Sequence, residues 1–347
     1  MKVGLVCPYD LGRFGGVQNQ VFELAGWLRE AGHEAQIVGP GDSGPDGAVL
    51  VGPTWQLPAN GAATPIRLDP RVVRRVKDVV DDCDVVHVHE PLMPSVSLGA
   101  TLRASPPIVA TFHADPPAAV SRLYRVGGRL IRRVLRRAQI LTAVSPVAAR
   151  ALPNVSPRII PNGIDVSAYP ELERVARRVV FVGRDDPRKG LRVLLAAWPQ
   201  VCAAVPDASL HVVGADRIDD ASAGVVFHGR VSDEEKRRAL SSSEVFCAPN
   251  TGGESFGIVI AEGMAAGCAV VASAIPGFVF AAGDAAALVR PGDAAALAAG
   301  LIDLCTDDER RRRLAAAGAE RVRRFDRSAV TAAYIAAYED AIRAASC

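Results

Sequence analysis

The sequence predicts an α/β protein made of two doubly wound domains, and three observations carry that prediction. Short apolar runs of strand length alternate with longer stretches of helical periodicity along the whole chain. The short runs are continuously apolar, which is typical of parallel strands buried on both faces. The chain has 347 residues, 49% of them hydrophobic, which is enough for two domains of ordinary size.

The first half of the chain predicts one such sheet. Its strands are expected at residues 3–7, 35–38, 85–89, 108–112 and 140–144. Helices are expected between them, at 17–31, 71–80 and about 120–138. The stretch 40–65 is rich in Gly, Pro and Asp, and predicts irregular surface structure.

The pattern breaks at residues 157–169, around the segment PNGID, and then restarts. Five further strands are expected, at 179–182, 209–213, 225–227, 245–248 and 269–272. We therefore expect an N-terminal domain at 1–165 and a second domain at 166–327. The last segment, 328–347, is helical in pattern, and we expect it to pack back on the first domain.

Composition narrows the class of protein. A net charge of only +2 predicts no nucleic-acid partner. The seven cysteines form no CxxC pair and favour reduced thiols in a cytoplasmic protein. No apolar stretch is long enough for a membrane-spanning helix, and the first apolar run is too short for a signal peptide. Any membrane contact is therefore expected to be peripheral.

The segment GGESFGIVIAEGMAAG, residues 252–267, is the most informative part of the chain. Glu254 is expected in a loop before a helix, and Glu262 about two turns into it. Free amides from about Ser255 to Ile258 would form an anion site, because unpaired N–H groups and the helix dipole favour phosphate. Carboxylates repel phosphate but suit hydroxyl groups. The segment thus predicts a site for a sugar joined to a diphosphate, the simpler alternative being helix capping.

Three other segments follow predicted strands, where ligands of parallel sheets bind. Gly15 and Gly16 stand in GRFGGVQ before the first helix, and permit close approach of a phosphate or sugar. His113 follows the strand of ATFHAD. Arg184 and Lys189 in VGRDDPRKG could stabilise charge on a leaving diphosphate. The alternatives are a tight turn, a structural histidine, and a surface loop whose two aspartates neutralise the cations.

Basic residues cluster on two helices. Between residues 116 and 158 the chain holds nine Arg and no Asp or Glu. We call five of them the basic face, since helical spacing puts them on one side: Arg129, Arg132, Arg133, Arg136 and Arg137. Leu130, Ile131, Val134 and Leu135 are expected to pack against the sheet. A second stretch repeats the pattern with Arg71, Arg74, Arg75 and Lys77. Both stretches predict contact with an anionic membrane surface, the alternative being an ordinary exposed helix face.

Taken in order, the motifs resemble a known enzyme family. GGVQ, HVHEP, ATFH, PNGID, GR-x4-KG and GGESFG are similar to the family-four retaining glycosyltransferases, and the likeness covers nearly the whole chain. CPY-x5-GGVQ, DVVHVHEP, IVATFH and APN-x-GGESFGIV resemble in particular the bacterial phosphatidyl-myo-inositol mannosyltransferases. This resemblance implies the GT-B architecture, in which two Rossmann-like domains flank a cleft that closes over the donor.

The resemblance also implies roles for individual residues. Arg184 and Lys189 would hold the donor diphosphate, Glu262 the ribose, and Glu254 the sugar hydroxyls. The leaving phosphate would take the acceptor proton, with retention, and no metal is obligatory, although a divalent ion could bind. The backbone contacts to sugar and phosphate would come from Gly15, Gly16, Ser255, Phe256, Gly257 and Ile258. The acceptor side would hold Tyr9, Gln18 and His113, and catalysis would rest on His113, Glu254, Arg184 and Lys189.

By the same resemblance, the expected donor is GDP-mannose. The expected acceptor is a phosphatidyl-myo-inositol lipid at the inner face of the cell membrane. Leu92 stands where those enzymes carry Asn, and Ala114-Asp115 where they carry hydroxyl residues. Two alternatives therefore stay open: another donor, such as a UDP-sugar, with a soluble or different lipid acceptor, and a non-catalytic scaffold that binds sugar nucleotides.

Overall fold

A computed structural model describes most of the chain. The described residues are 1–13, 15–52, 55–59, 62–66, 70–114, 120, 122, 124, 126–150, 155–216 and 223–346, with the backbone alone at 55–59, 62–66 and 70. The chain divides into two compact units. Unit 1 contains Met1–Gly163 and Arg327–Cys347, and unit 2 contains Ile164–Asp326.

Unit 1 is built on a parallel sheet whose strand order is β3-β2-β1-β6-β7-β8-β9. Its central strands are Val-rich and buried, as the continuous apolar runs predict. The strands are β1 (Lys2–Val6), β2 (Glu34–Gly39), β3 (Val49–Leu50), β4 (Trp55–Ala59), β5 (Ala62–Ile66), β6 (Val85–His89), β7 (Ile108–Phe112), β8 (Ile140–Ala143) and β9 (Arg158–Ile159). The strand order reverses between β1 and β6, which is the topological switch point of this sheet.

The helices of unit 1 cover its sheet. They are α1 (Gly16–Glu30), α2 (Pro70–Val80), α3 (Val96–Arg103), α4 (Gly128–Leu135) and α5 (Pro146–Ala149). Helix α2 buries Val72 and Val76 in the core, as its apolar spacing predicts. Helix α3 was not anticipated from the sequence.

Two expectations about unit 1 were wrong. The stretch 40–65 is not wholly irregular, because β4 and β5 pair as an antiparallel hairpin. The helix expected at 120–138 ends early, since α4 finishes at Leu135 and a turn follows. Glycines at 127 and 128 mark where α4 starts, and glycine weakens a helix interior.

Unit 2 has a six-stranded parallel sheet in the order β12-β11-β10-β13-β14-β15. Its strands are β10 (Val175–Val182), β11 (Ser209–Val213), β12 (Val225–Gly229), β13 (Ser243–Ala248), β14 (Ala269–Ser273) and β15 (Ala287–Val289), the last not anticipated. The helices are α6 (Leu191–Ala204), α7 (Asp233–Ser241), α8 (Ile258–Ala265), α9 (Pro276–Ala282), α10 (Ala294–Thr306) and α11 (Asp308–Val322). Here the switch point lies between β10 and β13.

The last helix, α12 (Arg327–Ala345), returns to unit 1. It packs Val330, Tyr334 and Tyr338 into the core beside α1. The Tyr338 hydroxyl lies 2.8 Å from Nδ1 of His87 on β6. At its surface, Arg158 of β9 pairs with Asp340 at 2.6 Å.

Two further findings concern the whole described chain. Within it, no helix combines the length and the apolar character that crossing a bilayer requires. Six cysteines are free thiols, and five of them are buried in the cores.

Candidate active site

The two loops at the switch point of unit 2 are locked together. The loop after β13 lies against the loop after β10, because the Thr251 amide donates to the Arg188 carbonyl at 2.9 Å. The Thr251 hydroxyl also donates to the Pro187 carbonyl at 3.2 Å. Gly190 (φ +73°) permits this approach, since a Cβ there would lie 2.0 Å from the Pro249 oxygen. Residues from two separate predicted motifs therefore share one site.

Lys189 and Glu254 meet directly in this site. The Lys189 ammonium lies 2.5 Å from Oε1 of Glu254, and the Asn250 amide donates to the same oxygen at 3.0 Å. Both charged side chains remain partly open to solvent, with 27% and 21% of their area exposed. The sequence placed both residues in the site but did not anticipate that they pair.

Helix α8 begins immediately after this pair. Gly257 (φ +96°) precedes it, and the first bond of the helix runs from the Ile260 amide to the Gly257 carbonyl. The amides of Ile258 and Val259 therefore have no partner within the helix. The expectation that these free amides start at Ser255 was wrong, because the chain turns at Gly257 before it becomes helical.

The residues before α8 serve partly to hold the turn. The Phe256 ring is 3% exposed, and it packs edge-on against Phe280 and Phe325. A Cβ on Gly257 would lie 2.7 Å from the Phe278 ring, so the turn also requires glycine for space. Because the ring of Phe256 is buried, this residue can contact a ligand only through its backbone.

Glu262 has a partner that sequence reasoning missed. Lys236 of α7 lies 2.8 Å from its carboxylate and 3.1 Å from that of Asp233. Burial lowers the pKa of Lys236, but the charges of Glu262 and Asp233 outweigh burial, so its pKa is raised. Glu262 is the fifth residue of α8, little more than one turn into the helix rather than two.

The aspartates of the loop after β10 form their ion pairs with residues other than the two predicted cations, although the charge of Arg184 contributes to the lowered pKa of Asp186. Asp185 pairs with Arg192 at 2.9 Å, and Asp186 pairs with Arg188 at 2.7 Å. The hydrogen bonds from Arg188 lower the pKa of Asp186 to about 2. Within the part of the chain that the structure describes, the exposed guanidinium of Arg184 makes no hydrogen bond or ion pair. Arg184 is thus available to an anionic ligand.

The glycine pair of unit 1 lies after β1, at the switch point of that sheet. A Cβ on Gly15 would lie 2.3 Å from Oε1 of Gln18, whereas no described residue comes within 4 Å of a Cβ on Gly16. Gln18 is buried, and its amide donates to the Asp10 carbonyl at 3.3 Å. Gln18 therefore shapes this loop, and Gly16 presents an open stretch of backbone.

His113 follows β7 and is held by Glu90, which follows β6. Oε1 of Glu90 accepts hydrogen bonds from the amides of His113 and Ala114, at 2.8 and 2.9 Å. Glu90 adopts a positive φ of 50°, which is uncommon for a residue other than glycine. Burial raises the pKa of Glu90 to about 7, although the two amide hydrogen bonds oppose that rise.

Burial also keeps the histidine rings of this region neutral. It lowers the pKa of His113 to about 4, and it lowers the pKa values of His87 and His89 well below 6.5. Nε2 of His87 lies 2.6 Å from the Thr111 hydroxyl. Nδ1 of His89 lies 2.8 Å from Nε2 of His113. His113 is therefore part of a buried polar network and not a lone imidazole.

Tyr9 lies near this network. Burial raises its pKa well above 10, with a smaller contribution from the charge of Glu90. Burial likewise raises the pKa of Tyr124 to about 12, again with a contribution from Glu90. Both phenols therefore stay protonated and able to donate hydrogen bonds at neutral pH.

The basic face is exposed along helix α4 and the turn after it. Its five guanidinium groups make no ion pair with any residue that the structure describes, although Arg137 donates to the Ala104 carbonyl at 3.4 Å. One expectation was wrong: Leu130 is 67% exposed and does not pack on the sheet. The helix instead packs through its last turn, where Leu135 is buried. On α2 the three arginines are exposed, whereas Lys77 is partly buried and pairs with Asp81.

Sequence reasoning missed the partners of the predicted residues more often than the residues themselves. Glu90 and His89 lie in the HVHEP motif, so their position after a strand was a usable signal. Asn162 lies in PNGID, and Gln20 binds this segment through both the amide and the carbonyl of Gly163, at 2.8 and 3.0 Å. No sequence feature marked Lys236 as a site residue, because it stands in an ordinary charged helix. No three His, Cys, Asp or Glu side chains within the described residues come together as metal ligands.

Two family models match most of the chain. The model for "Glycosyltransferase Family 4" matches residues 14–168, and the model for "Glycosyl transferases group 1" matches residues 176–307. A phosphatidyl-myo-inositol mannosyltransferase of Mycolicibacterium smegmatis is 41% identical, over 98% of this chain and 94% of its own.

Solved structures share the fold at low sequence identity. Anabaena HepE in complex with UDP has a TM-score of 0.74 at 18% identity, over 98% of this chain and all of its own. Sucrose-phosphate synthase of Thermosynechococcus elongatus has a TM-score of 0.74 at 23% identity, over 99% of both chains. The α/β fold of this chain is thus the GT-B fold of these enzymes.

Proposed function

Because the chain belongs to the family-four glycosyltransferases, we propose that it transfers mannose from GDP-mannose to a phosphatidyl-myo-inositol lipid, with retention of configuration. The observation that carries the proposal is the charged site at the switch point of unit 2. There Lys189, Glu254 and the start of α8 come together, and the exposed Arg184 stands in the same loop as Lys189. The mannosyltransferase of M. smegmatis, similar over nearly the full chain, supports the choice of sugar and lipid.

When unit 2 binds the nucleotide sugar, Lys189 and Glu254 would each exchange the other for a group of the ligand. The diphosphate would take Lys189 away from Glu254 and would also engage Arg184. Glu254, still held by the Asn250 amide, would then accept hydrogen bonds from the sugar hydroxyls. The amides of Ile258 and Val259 would face the distal phosphate, where the positive end of the helix dipole favours negative charge.

The nucleotide would be anchored one turn further along α8. Glu262 would accept hydrogen bonds from the ribose hydroxyls, and Lys236 would hold its carboxylate in place. Arg184 and Lys189 supply the positive charge that stabilises the leaving diphosphate, a role that a bound metal plays in other enzymes. The leaving phosphate oxygen would take the proton of the acceptor hydroxyl, which agrees with retention.

Unit 1 would bind the acceptor. His113 and Tyr9 follow strands at the same edge of its sheet, where the open backbone of Gly16 would approach the donor diphosphate. The phenols of Tyr9 and Tyr124 stay protonated, so they could donate hydrogen bonds to inositol or phosphate oxygens.

The basic face would hold unit 1 on the inner face of the cell membrane. Unpaired guanidinium groups attract anionic headgroups at about 1 kcal/mol per cation. Val126 and Leu130 add apolar side chains that are 83% and 67% exposed next to Arg129 and Arg133. Exposed apolar residues beside basic residues are typical of helices that lie at a membrane interface.

The deciding experiment is transfer from labelled GDP-mannose, assayed with phosphatidylinositol in anionic vesicles. We expect a mannolipid product, and the configuration of its anomeric carbon shows whether the reaction retains. Parallel arms with UDP-glucose and with soluble myo-inositol test the other donor and acceptor classes. Turnover only in those arms would refute the mannosyl or the lipid part of the proposal.

A second arm tests the scaffold alternative. The double variant Lys189→Ala, Glu254→Ala removes the pair at the centre of the site but leaves both sheets intact. We expect it to lose transfer while its unfolding midpoint changes little, because the pair is partly exposed. Full transfer by this variant would show that the site in unit 2 is not the reaction centre.

A further inference from the structure

The ring of His113 is held from two sides within unit 1. Nε2 of His113 lies 2.8 Å from Nδ1 of His89. Burial lowers the pKa of His113, and a side-chain hydrogen bond with Asn162 opposes that fall. His89 and Asn162 thus both hold the ring.

The contact between the two rings links their tautomers. A neutral imidazole carries a single N–H. A hydrogen bond between two ring nitrogens requires that one of them carries the hydrogen and the other does not. The tautomer of His89 therefore determines that of His113.

His89 itself has little freedom to turn. It is 1% exposed, and its ring lies 4.1 Å from the ring of His87, centre to centre. The His87 ring is fixed in turn, since its nitrogens contact the hydroxyls of Thr111 and Tyr338. Nε2 of His89 has no hydrogen-bond partner among the described residues. Of the two nitrogens of His89, Nδ1 is the one that acts on another residue.

The backbone next to Asn162 is also held in position. The side chain of Gln20 clamps the backbone of the next residue, Gly163, to helix α1. Gly163 in turn leaves room for the Trp27 ring, because a Cβ there would lie 2.4 Å from it. The two partners of the His113 ring thus belong to rigid parts of unit 1.

We propose that His89 is a positioning residue that fixes the orientation and tautomer of His113 through its Nδ1 hydrogen bond. The inference rests on the proposed function, in which His113 lies beside the sugar and the acceptor. The contact with His89 keeps the His113 ring pointing into the protein. What the site then presents to substrate is the edge of a neutral ring and the backbone that Glu90 holds.

Two substitutions separate the nitrogens of His89. The amide of Asn reaches the place of Nδ1, and that of Gln reaches the place of Nε2. His89→Asn therefore keeps a hydrogen-bonding partner for Nε2 of His113, whereas His89→Gln removes it. Both replace the buried ring with a smaller amide, so their effects on packing are closely matched. His228→Asn, an exposed site on β12, serves as the neutral background.

The test is ¹⁵N NMR of histidine-labelled protein, which reports each tautomer directly. The chain has only six histidines, and His113→Asn assigns the signal of His113 by its loss. We expect a single tautomer for His113 in the parent and in His89→Asn, and a mixture of tautomers in His89→Gln. An identical His113 signal in the Asn and Gln variants would overturn the proposal.

Kinetics with GDP-mannose form the second readout. We expect kcat/KM to fall about tenfold in His89→Gln and to be largely rescued in His89→Asn, at equal unfolding midpoints. Equal losses in both variants would overturn the positioning role. If no donor supports turnover in the parent, the proposed function fails, whereas the tautomer measurement still decides whether His89 controls His113.

Discussion

The two units place polar side chains at equivalent points of their sheets, but they treat charge in opposite ways. Unit 2 carries ionised pairs at its switch point, Lys189 with Glu254 and Lys236 with Glu262. Unit 1 places its titratable groups where burial works against charge, so that the pKa of Glu90 rises to about 7 and that of His113 falls to about 4. The first arrangement suits exchange of ionic partners, and the second suits fixed geometry.

Magnitudes support this distinction. A partly exposed ion pair such as that of Lys189 contributes only up to about 1 kcal/mol. A hydrogen bond from a charged donor to a phosphate contributes about 1.5–3 kcal/mol. A diphosphate can therefore displace Glu254 from Lys189 at little cost. No comparable exchange is open to His113, because breaking its buried hydrogen bonds leaves polar atoms unsatisfied, at about 1–3 kcal/mol each.

The largest expected effect is at Lys189. Lys189→Ala removes a cation that faces the leaving diphosphate, and we expect kcat to fall by about 10²–10³-fold, as when other charge-stabilising donors are removed. Arg188→Ala is the matched control in the same loop. Its guanidinium is occupied by Asp186, so we expect a change of no more than about twofold. Equal losses in the two variants, measured by steady-state kinetics, would mean that Lys189 has no special role.

The next prediction tests whether unit 1 favours the neutral form of the Glu90 carboxyl group. Glu90→Gln keeps the oxygen that accepts both amide hydrogen bonds but cannot ionise. A carboxyl whose pKa is raised by folding contributes fully to stability below its unfolded value of about 4.5, and this contribution is lost as the pH rises to about 7. As the pH rises from 4.5 to 8, we therefore expect the free energy of unfolding of Glu90→Gln to increase relative to that of the parent by on the order of 2 kcal/mol.

Urea unfolding across that pH range measures the Glu90 effect. The three buried histidines change stability in the opposite sense, since their lowered pKa values favour the folded state more as the pH rises. Their contribution cancels in the difference between parent and variant. Glu34→Gln, an exposed carboxyl on β2, is the control. If the Glu90 and Glu34 variants show the same pH dependence, Glu90 is not held neutral by the fold.

The contrast between the units also explains what the sequence could predict. Strand positions and the residues that follow them came from apolar runs, so Arg184, Lys189, Glu254 and His113 were located correctly at strand ends. The helix turn at Gly257 was misjudged by two or three residues, because its position is set by packing against Phe278, a contact distant in sequence. Leu130 was misjudged because periodicity assigns it a face but does not say which turn of α4 meets the sheet.

Pairings were the part that sequence could not supply. Whether Asp185 and Asp186 neutralise Lys189 depends on the loop geometry, which directs them instead to Arg192 and Arg188. The hydrogen bond of His89 to His113 joins two strands that are neighbours only in the folded sheet. Both examples concern side-chain partners chosen by tertiary structure from several candidates that are equally near in sequence.

A smaller effect is expected at Gly16. Gly16→Ala adds a methyl group to open backbone, so the free protein loses no contact, and a helical alanine adds up to about 1 kcal/mol of stability. Gly26→Ala is matched to it, because Gly26 lies in the same helix with nothing within 4 Å of its Cβ position. We expect both to raise the melting temperature, and only Gly16→Ala to raise KM for the donor, by about tenfold. An unchanged KM in Gly16→Ala would remove this glycine from the site.

The smallest effect compares the arginine clusters of the two units. The basic face on α4 has no ion pair within the described residues, whereas on α11 Arg310 pairs with Asp303 at 3.0 Å and Arg311 with Glu244 at 2.9 Å. We expect Arg133→Gln to weaken cosedimentation with anionic vesicles about fivefold, in line with about 1 kcal/mol per cation. Arg313→Gln, an exposed arginine of α11, should have no effect, because acidic neighbours already offset that cluster. The effect of Arg133→Gln should vanish on neutral vesicles and shrink at high salt, since exposed charges are screened. If the two substitutions weaken binding alike, attraction to the membrane comes from overall charge, and the basic face has no special part in it.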